Sequence, residues 1–227
     1  MRDIIKDYYT ERALKAPECQ QENLKESVLS YFYEMLFELI SNLEPKTLLD
    51  VGCGSAAFSS LFLDQGIEVS GIEFVEQLAR KADARGVVVY RHDLNSDFKI
   101  DKKFDIILVS AVLEHLWDPI RLIKNLKTNF KRELIIVVPN MSSLAERKRS
   151  ILGLPLKWMY PHGDHIRFMN LMVVEDLVKS NDLSIVEASG YSPLDQKILR
   201  KIHLPRLISR FFPSLCEVLI VRVRSHQ

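Results

Sequence analysis

Cysteine is scarce in this 227-residue chain, which has only Cys19, Cys53 and Cys216, widely spaced and with no Cys-x-x-Cys pair. That excludes a disulfide framework or a cysteine zinc site and fits reduced thiols. Eight glycines and nine prolines leave no material for long flexible linkers, and no repeat or low-complexity segment occurs. Uninterrupted apolar stretches such as residues 134–138 are far shorter than the roughly 18 residues of a membrane-spanning helix. Met1-Arg2-Asp3-Ile4-Ile5-Lys6-Asp7 carries acids where an export signal needs an apolar core, so the chain is expected to stay in the cytoplasm. Charge excess is lacking too. With 31 Lys+Arg against 30 Asp+Glu, a net charge of +1 argues against coating nucleic acid along the whole surface. The balance conceals two basic segments, five bases against one acid over residues 147–167 and seven against two over residues 195–227. A local anionic small molecule or a lipid surface is the expected partner, and nucleic acid is not.

What is present suffices for one globular domain with a substantial core, 47% of the residues being hydrophobic. Leu24, Val28, Phe32, Met35, Leu36 and Leu39 recur at helical spacing over residues 21–43, and Pro45 ends the pattern. Nearly continuous β-branched runs at 47–51, 67–72, 87–90, 104–110 and 134–138 read as strands buried on both faces. Residues 57–64, 75–84 and 119–130 between them have helical length and period. This order predicts an α/β fold with a doubly wound, mostly parallel sheet. Residues 171–180 read as a further helix, and 183–188 and 216–223 as the last two strands. The expected layout is a helical cap (1–45), a ligand-binding core (46–140), a lid or substrate loop without clean period (141–170) and an insertion (193–213) before the last strand. That insertion mixes Ile198, Leu199, Ile202 and Phe211 with Arg200, Lys201 and Arg206. It either packs on the sheet edge or a second copy, or lies on a membrane surface or anionic acceptor. Tyr8-Tyr9-Thr10-Glu11-Arg12 is either an exposed arm or a flap over the ligand.

The first strand runs through Asp50-Val51 into Gly52-Cys53-Gly54-Ser55-Ala56, at the kind of crevice where doubly wound sheets bind ligands. Glycine there permits positive φ and close approach of a ligand to the backbone. The carboxylate of Asp50 beside this turn would repel the pyrophosphate of a nicotinamide dinucleotide. It would attract the sulfonium and ammonium of S-adenosylmethionine. Glu73 closes the second strand, where an acid accepts from ribose hydroxyls.

Asp50-Val51-Gly52-Cys53-Gly54, Gly71-Ile72-Glu73, His92-Asp93-Leu94, Phe104-Asp105-Ile106-Ile107, Leu113-Glu114-His115-Leu116 and Ile135-Ile136-Val137-Val138-Pro139-Asn140 together resemble a class I S-adenosylmethionine-dependent methyltransferase. The resemblance is specific over residues 48–140 and looser over 171–188. It implies a Rossmann-like seven-stranded sheet with an antiparallel last strand. It places Gly52, Cys53 and Gly54 under the methionine part of the cofactor, Glu73 with Phe74 at the ribose, and Asp93 with Leu94 beside the adenine. Ser110, Ala111 and His115 would line the cofactor cleft. The family's third glycine is Ala56 here, a small narrowing of the turn.

Methyl transfer is an in-line displacement that depends mainly on holding the reacting atoms in line. A base helps when the acceptor is a hydroxyl, and His115 and His165 are the candidates. Each could instead be structural, His115 packing the cofactor cleft and His165 bonding lid backbone. Some relatives hold a divalent ion with Glu-x-x-Glu-His, but Ala111 stands where the first Glu would be, so no metal is expected. Ser110-Ala111-Val112-Leu113 also lacks the Pro-Pro-aromatic run of enzymes that methylate nucleic-acid bases. The resemblance therefore points to a small-molecule O-methyltransferase, akin to those of ubiquinone biosynthesis. The alternative is a non-catalytic S-adenosylmethionine-binding or partner-regulating protein of the same fold.

Overall fold

The computed structural model describes residues 28–157, 165–192 and 209–225. The arm at 8–12, lid residue His162 and insertion residues 193–208 lie outside them. Two compact units divide the chain, Met1–Phe98 with Phe104–Ile106, and Lys99–Lys103 with Ile107–Gln227. Seven strands lie in the order β3-β2-β1-β4-β5-β7-β6, the expected mostly parallel sheet with its last strand antiparallel. These strands are β1 (Thr47–Val51), β2 (Glu68–Ile72), β3 (Val88–Tyr90), β4 (Phe104–Ser110), β5 (Phe130–Pro139), β6 (Leu183–Tyr191) and β7 (Val218–Ser225).

In the first unit β1, β2 and β3 pair in parallel, with Val51 opposite Ile72 and Ile72 opposite Tyr90. Their carboxyl ends therefore share one edge, where Gly52, Glu73 and the residues after Tyr90 emerge. β1 is almost wholly buried, as expected for an apolar run covered on both faces. Helix α1 (Val28–Ser41) buries Phe32, Leu36 and Ile40 at four-residue spacing. Its Phe37 stacks on Phe62 with centroids 4.8 Å apart. The α-helix expected over 57–64 is instead a 3-10 helix, Ser59–Gln65. Serines at its start, no side-chain cap at Phe58 and a left-handed Gly66 (φ 75°) leave one short, tight segment. Helix α2 (Glu76–Ala84) connects β2 to β3.

In the second unit helix α3 (Pro119–Leu126) is capped by Asp118, which accepts from Arg121 N, with Pro119 in its first turn. Two further helices are α4 (Leu144–Ile151) and α5 (Leu171–Lys179). α4 falls inside the stretch expected to be an irregular loop. Its start is set by Ser143, whose hydroxyl accepts from Glu146 N at 3.2 Å, and Ser-x-x-Glu is a helix-start signal. β7 runs antiparallel to both β5 and β6. Arg222 clips the three together, donating to Glu133 at 2.6 Å and to Glu187 at 2.7 Å. Burial alone would raise the Glu133 pKa, but the bonds from Arg222 and Arg224 hold it below the ordinary value. Two of the basic residues counted in the last segment are thus committed inside the sheet rather than to an anionic partner. Among the described residues no helix is long and apolar enough to cross a membrane.

Candidate functional site

The first unit gathers the glycine turn and its two acids. Gly52 N and Cys53 N both donate to Ile72 O, at 2.8 and 3.1 Å, so the end of β2 holds the turn. Gly52 (φ 72°), Gly54 (φ 56°) and Ala56 (φ 55°) are all left-handed. A Cβ on Gly54 would meet nothing within 4 Å, so this glycine is required by its backbone angle and faces open space. Ala56 holds the same angle with a methyl group, a strain of roughly 1–2 kcal/mol that the turn tolerates. Gly71 serves the turn from beneath, because a Cβ there would collide with the Cys53 sulfur.

Glu73 ties the site together. Its carboxylate accepts from Gly54 N at 3.1 Å and from Val75 N at 2.7 Å. Burial raises its pKa, while donation from the Val75, Gly54 and Phe74 amides opposes the rise. Two backbone bonds leave lone pairs on an ionised carboxylate for ligand hydroxyls. Asp50 is 7% exposed, and its pKa is pushed up to about 7, first by burial and then by the charge of Glu73. The buried Ser59 hydroxyl makes no hydrogen bond of standard geometry, yet lies close enough to pull that pKa down. Tyr33 of α1 is raised by burial and by the Asp50 charge. Burial and the nearby Asp50 and Glu73 charges raise the Cys53 thiol far out of the reactive range. The pocket is thus electronegative, partly desolvated and suited to a cation with hydroxyl groups.

Asp93 and Leu94 follow β3 at the same sheet edge. Asp93 accepts from Asn95 N at 2.9 Å and Ser96 Oγ at 3.3 Å, so it shapes its own loop. Leu94 is buried, and His92 stacks on Phe98 with centroids 5.2 Å apart.

The second unit holds the titratable cluster. Ser110 ends β4, and the exposed Ala111 takes φ 53° and donates to Val137 O at 3.0 Å. That left-handed residue turns the chain into a short 3-10 helix, Leu113–His115. Fifty residues later the chain returns, and Ile166 N and Arg167 N both donate to Glu114 O, at 2.9 and 3.1 Å. The Arg167 guanidinium adds bonds to the carbonyls of Leu116 and Trp117. This stitching presents His165 to Glu114, Nε2 to Oε1 at 4.0 Å, and to His115, with ring centroids 4.7 Å apart at 70°. Ligand atoms of Glu114, His115 and His165 all lie within 4.8 Å of one another, two imidazoles and a carboxylate of the kind that take a divalent ion. His115 and His165, read separately from the sequence, are neighbours. Sequence reasoning missed Arg167 as the anchor; the basic residue two places after His165 was the available signal.

Known proteins resemble the chain throughout. Residues 21–188 match the model of a family described as a methyltransferase domain. A ubiquinone biosynthesis O-methyltransferase of Actinobacillus pleuropneumoniae serotype 7 is 30% identical over 171 residues, 67% of this chain and 72% of that protein. One of Rickettsia felis is 24% identical over 178 residues, 73% of this chain and 72% of its own. Among solved structures, magnesium protoporphyrin IX methyltransferase from Synechocystis PCC 6803 with bound SAH shares the fold. Its TM-score is 0.68 at 14% identity, with both chains fully covered. A possible histamine N-methyltransferase from Thermotoga maritima gives 0.65 at 17% identity, covering 96% of this chain and all of its own.

Proposed function

This chain belongs to the methyltransferase-domain family and is an S-adenosylmethionine-dependent methyltransferase, and from that premise we propose that it methylates an oxygen of an anionic or lipid-linked small molecule in the cytoplasm. Residues 1–227 act as one methyltransferase domain in this proposal. Asp50 receives the cationic end of the cofactor and Glu73 its ribose, while Asp93 and Leu94 serve the adenine.

The observation that carries the oxygen assignment is the packing of His165 against His115 and the Glu114 carboxylate. S-adenosylmethionine, held by Asp50 and Glu73, would supply the methyl group, the acceptor oxygen taking the carbon as the sulfur leaves with the electron pair. The hydroxyl proton passes to His165 or His115, and Glu114 stabilises the imidazolium so formed. The names of the O-methyltransferase relatives support the same acceptor atom.

The test is a panel of hydroxylated acceptors, read by mass spectrometry for the methylated product. His165→Ala should lower kcat roughly 10²- to 10⁴-fold, the usual worth of a general base, and leave the thermal shift by S-adenosylhomocysteine unchanged. An unchanged kcat in both His165→Ala and His115→Ala would remove the base from the mechanism. The closeness of three ligand atoms favours one second reading, a divalent ion held by Glu114, His115 and His165. Loss of turnover on dialysis against a chelator, restored by one metal, would select it over the base.

A further inference from the structure

Helix α4 is inside out. Its only buried residue is Glu146, while Leu144 is 56% and Ile151 85% exposed. The acid is tied inward, accepting from Lys157 N at 3.0 Å. Beyond the helix Leu152 is 62% and Leu154 48% exposed. These residues are not a loose tail. Gly153 takes φ 67°, Gly153 N donates to Ser150 O at 3.0 Å and Leu154 N to Arg149 O at 2.9 Å, a helix end closed in the Schellman manner. Arg149 Nε then donates to Pro155 O at 2.8 Å. An ordered turn therefore holds three large aliphatic side chains out in water.

The charge along this knuckle is mainly positive. Residues 144–157 contain Arg147, Lys148, Arg149 and Lys157, and their one acid is the buried Glu146; Lys157 pairs with Glu217 at 3.8 Å, which leaves Arg147, Lys148 and Arg149 to set the sign. The 3-10 turn Pro213–Leu215 packs on α4, and Phe211 and Phe212 before it are also exposed. Projecting aliphatics with basic residues behind them match an anionic lipid surface, whose headgroups attract Lys and Arg while its acyl boundary takes the apolar side chains. A second copy fits less well, because a two-fold interface would bring two positive faces together.

We propose that Ile151, Leu152 and Leu154, with Arg147 and Lys148 behind them, dock this protein on an anionic lipid surface. Docking stands on this face alone, and only its purpose, delivering a lipid-linked acceptor, rests on the function proposed above.

Co-sedimentation of the full chain with vesicles of phosphatidylcholine, and of phosphatidylcholine mixed with phosphatidylglycerol, tests this. Binding is expected to the mixed vesicles only and to weaken with salt. Each lysine or arginine at such a surface contributes about fivefold in affinity, so Arg147→Gln with Lys148→Gln should weaken binding roughly 25-fold. Ile151→Ser with Leu152→Ser should weaken it by roughly tenfold or more. Both variants should keep the wild-type thermal shift with S-adenosylhomocysteine, which separates failure of docking from failure of the methyltransferase fold. Equal binding to phosphatidylcholine alone, no binding to either vesicle, or variants that sediment like wild type would overturn the proposal. So would a wild-type dimer in solution that the apolar variant converts to monomer without any vesicle binding.

Discussion

Replacing Asp50 by Asn tests the electrostatics of the cofactor pocket most directly. The folded protein holds this carboxyl at a pKa of about 7 against an ordinary value of 3.8, chiefly through burial. Between those values the folded chain binds more protons than the unfolded one, so stability falls as pH rises from about 4 to 7 and is level beyond. The full loss corresponds to about 4 kcal/mol. Other groups titrate in the same window, so the measurable quantity is the difference between wild type and Asp50→Asn. At pH 3 the wild-type side chain is a neutral carboxyl in the folded and the unfolded chain alike and of nearly the same shape as Asn, so the two proteins should melt close together, whereas by pH 5 the variant should already lead by about 2 kcal/mol. At pH 8 the variant should be the more stable by about 4 kcal/mol, roughly 8–16 °C in melting temperature for a chain of this size. Cofactor binding should respond in the opposite sense. A bound ammonium or sulfonium holds Asp50 ionised, so S-adenosylhomocysteine should bind up to tenfold more tightly per pH unit from 5 to 7 and release a proton below 7. Calorimetry in two buffers of different ionisation enthalpy reads that proton. A variant no more stable than wild type at pH 8, together with a flat affinity from pH 5 to 7, would refute the buried-carboxylate account.

Gly71→Ala should destabilise by about 1–3 kcal/mol, the usual result of overpacking, because its methyl group meets the Cys53 sulfur. Adding Cys53→Ala should recover most of that loss, a coupling that denaturant melts of the double-mutant cycle would measure. Arg167→Ala should lower kcat with little change in the KM for the cofactor, since Arg167 anchors the segment carrying His165 through the carbonyls of Leu116 and Trp117. Arg167→Lys should restore part of the activity, and equal loss in both variants with an altered cofactor KM would mean general unfolding rather than positioning of His165.

What could be read from residues alone divides along one physical line. Strands β1 and β4 are legible because each is a largely apolar run buried along nearly its whole length. The glycine turn was legible because Gly52 and Gly54 stand where the backbone takes positive φ. Ala111 takes the same left-handed angle without a glycine to announce it, so the shape of its turn is hidden. The 3-10 helix after Phe58 reads as an α-helix because its apolar spacing is helical, while the absence of a capping side chain at Phe58 marks a short, tight segment.

The most instructive failure is α4. Periodicity locates a helix by assuming that its apolar residues face the core. In α4 the buried residue is an acid and the apolar residues face water, so the pattern reads as irregular chain although Ser143 and Glu146 carry a helix-start signal. The same inversion is what the docking proposal rests on, since holding Ile151 and Leu152 in water contributes nothing to the fold. The contact between His165 and His115 is hidden for another reason: hydrogen bonds to a single carbonyl, Glu114 O, bring the two together across 50 residues of sequence. Spacing along the chain carries no trace of such a contact, whereas the residue types, two histidines and an acid, carried the chemistry from the start. Where a side chain must defy the burial rule or meet a distant partner, sequence therefore identifies the chemistry and only the fold identifies the contact.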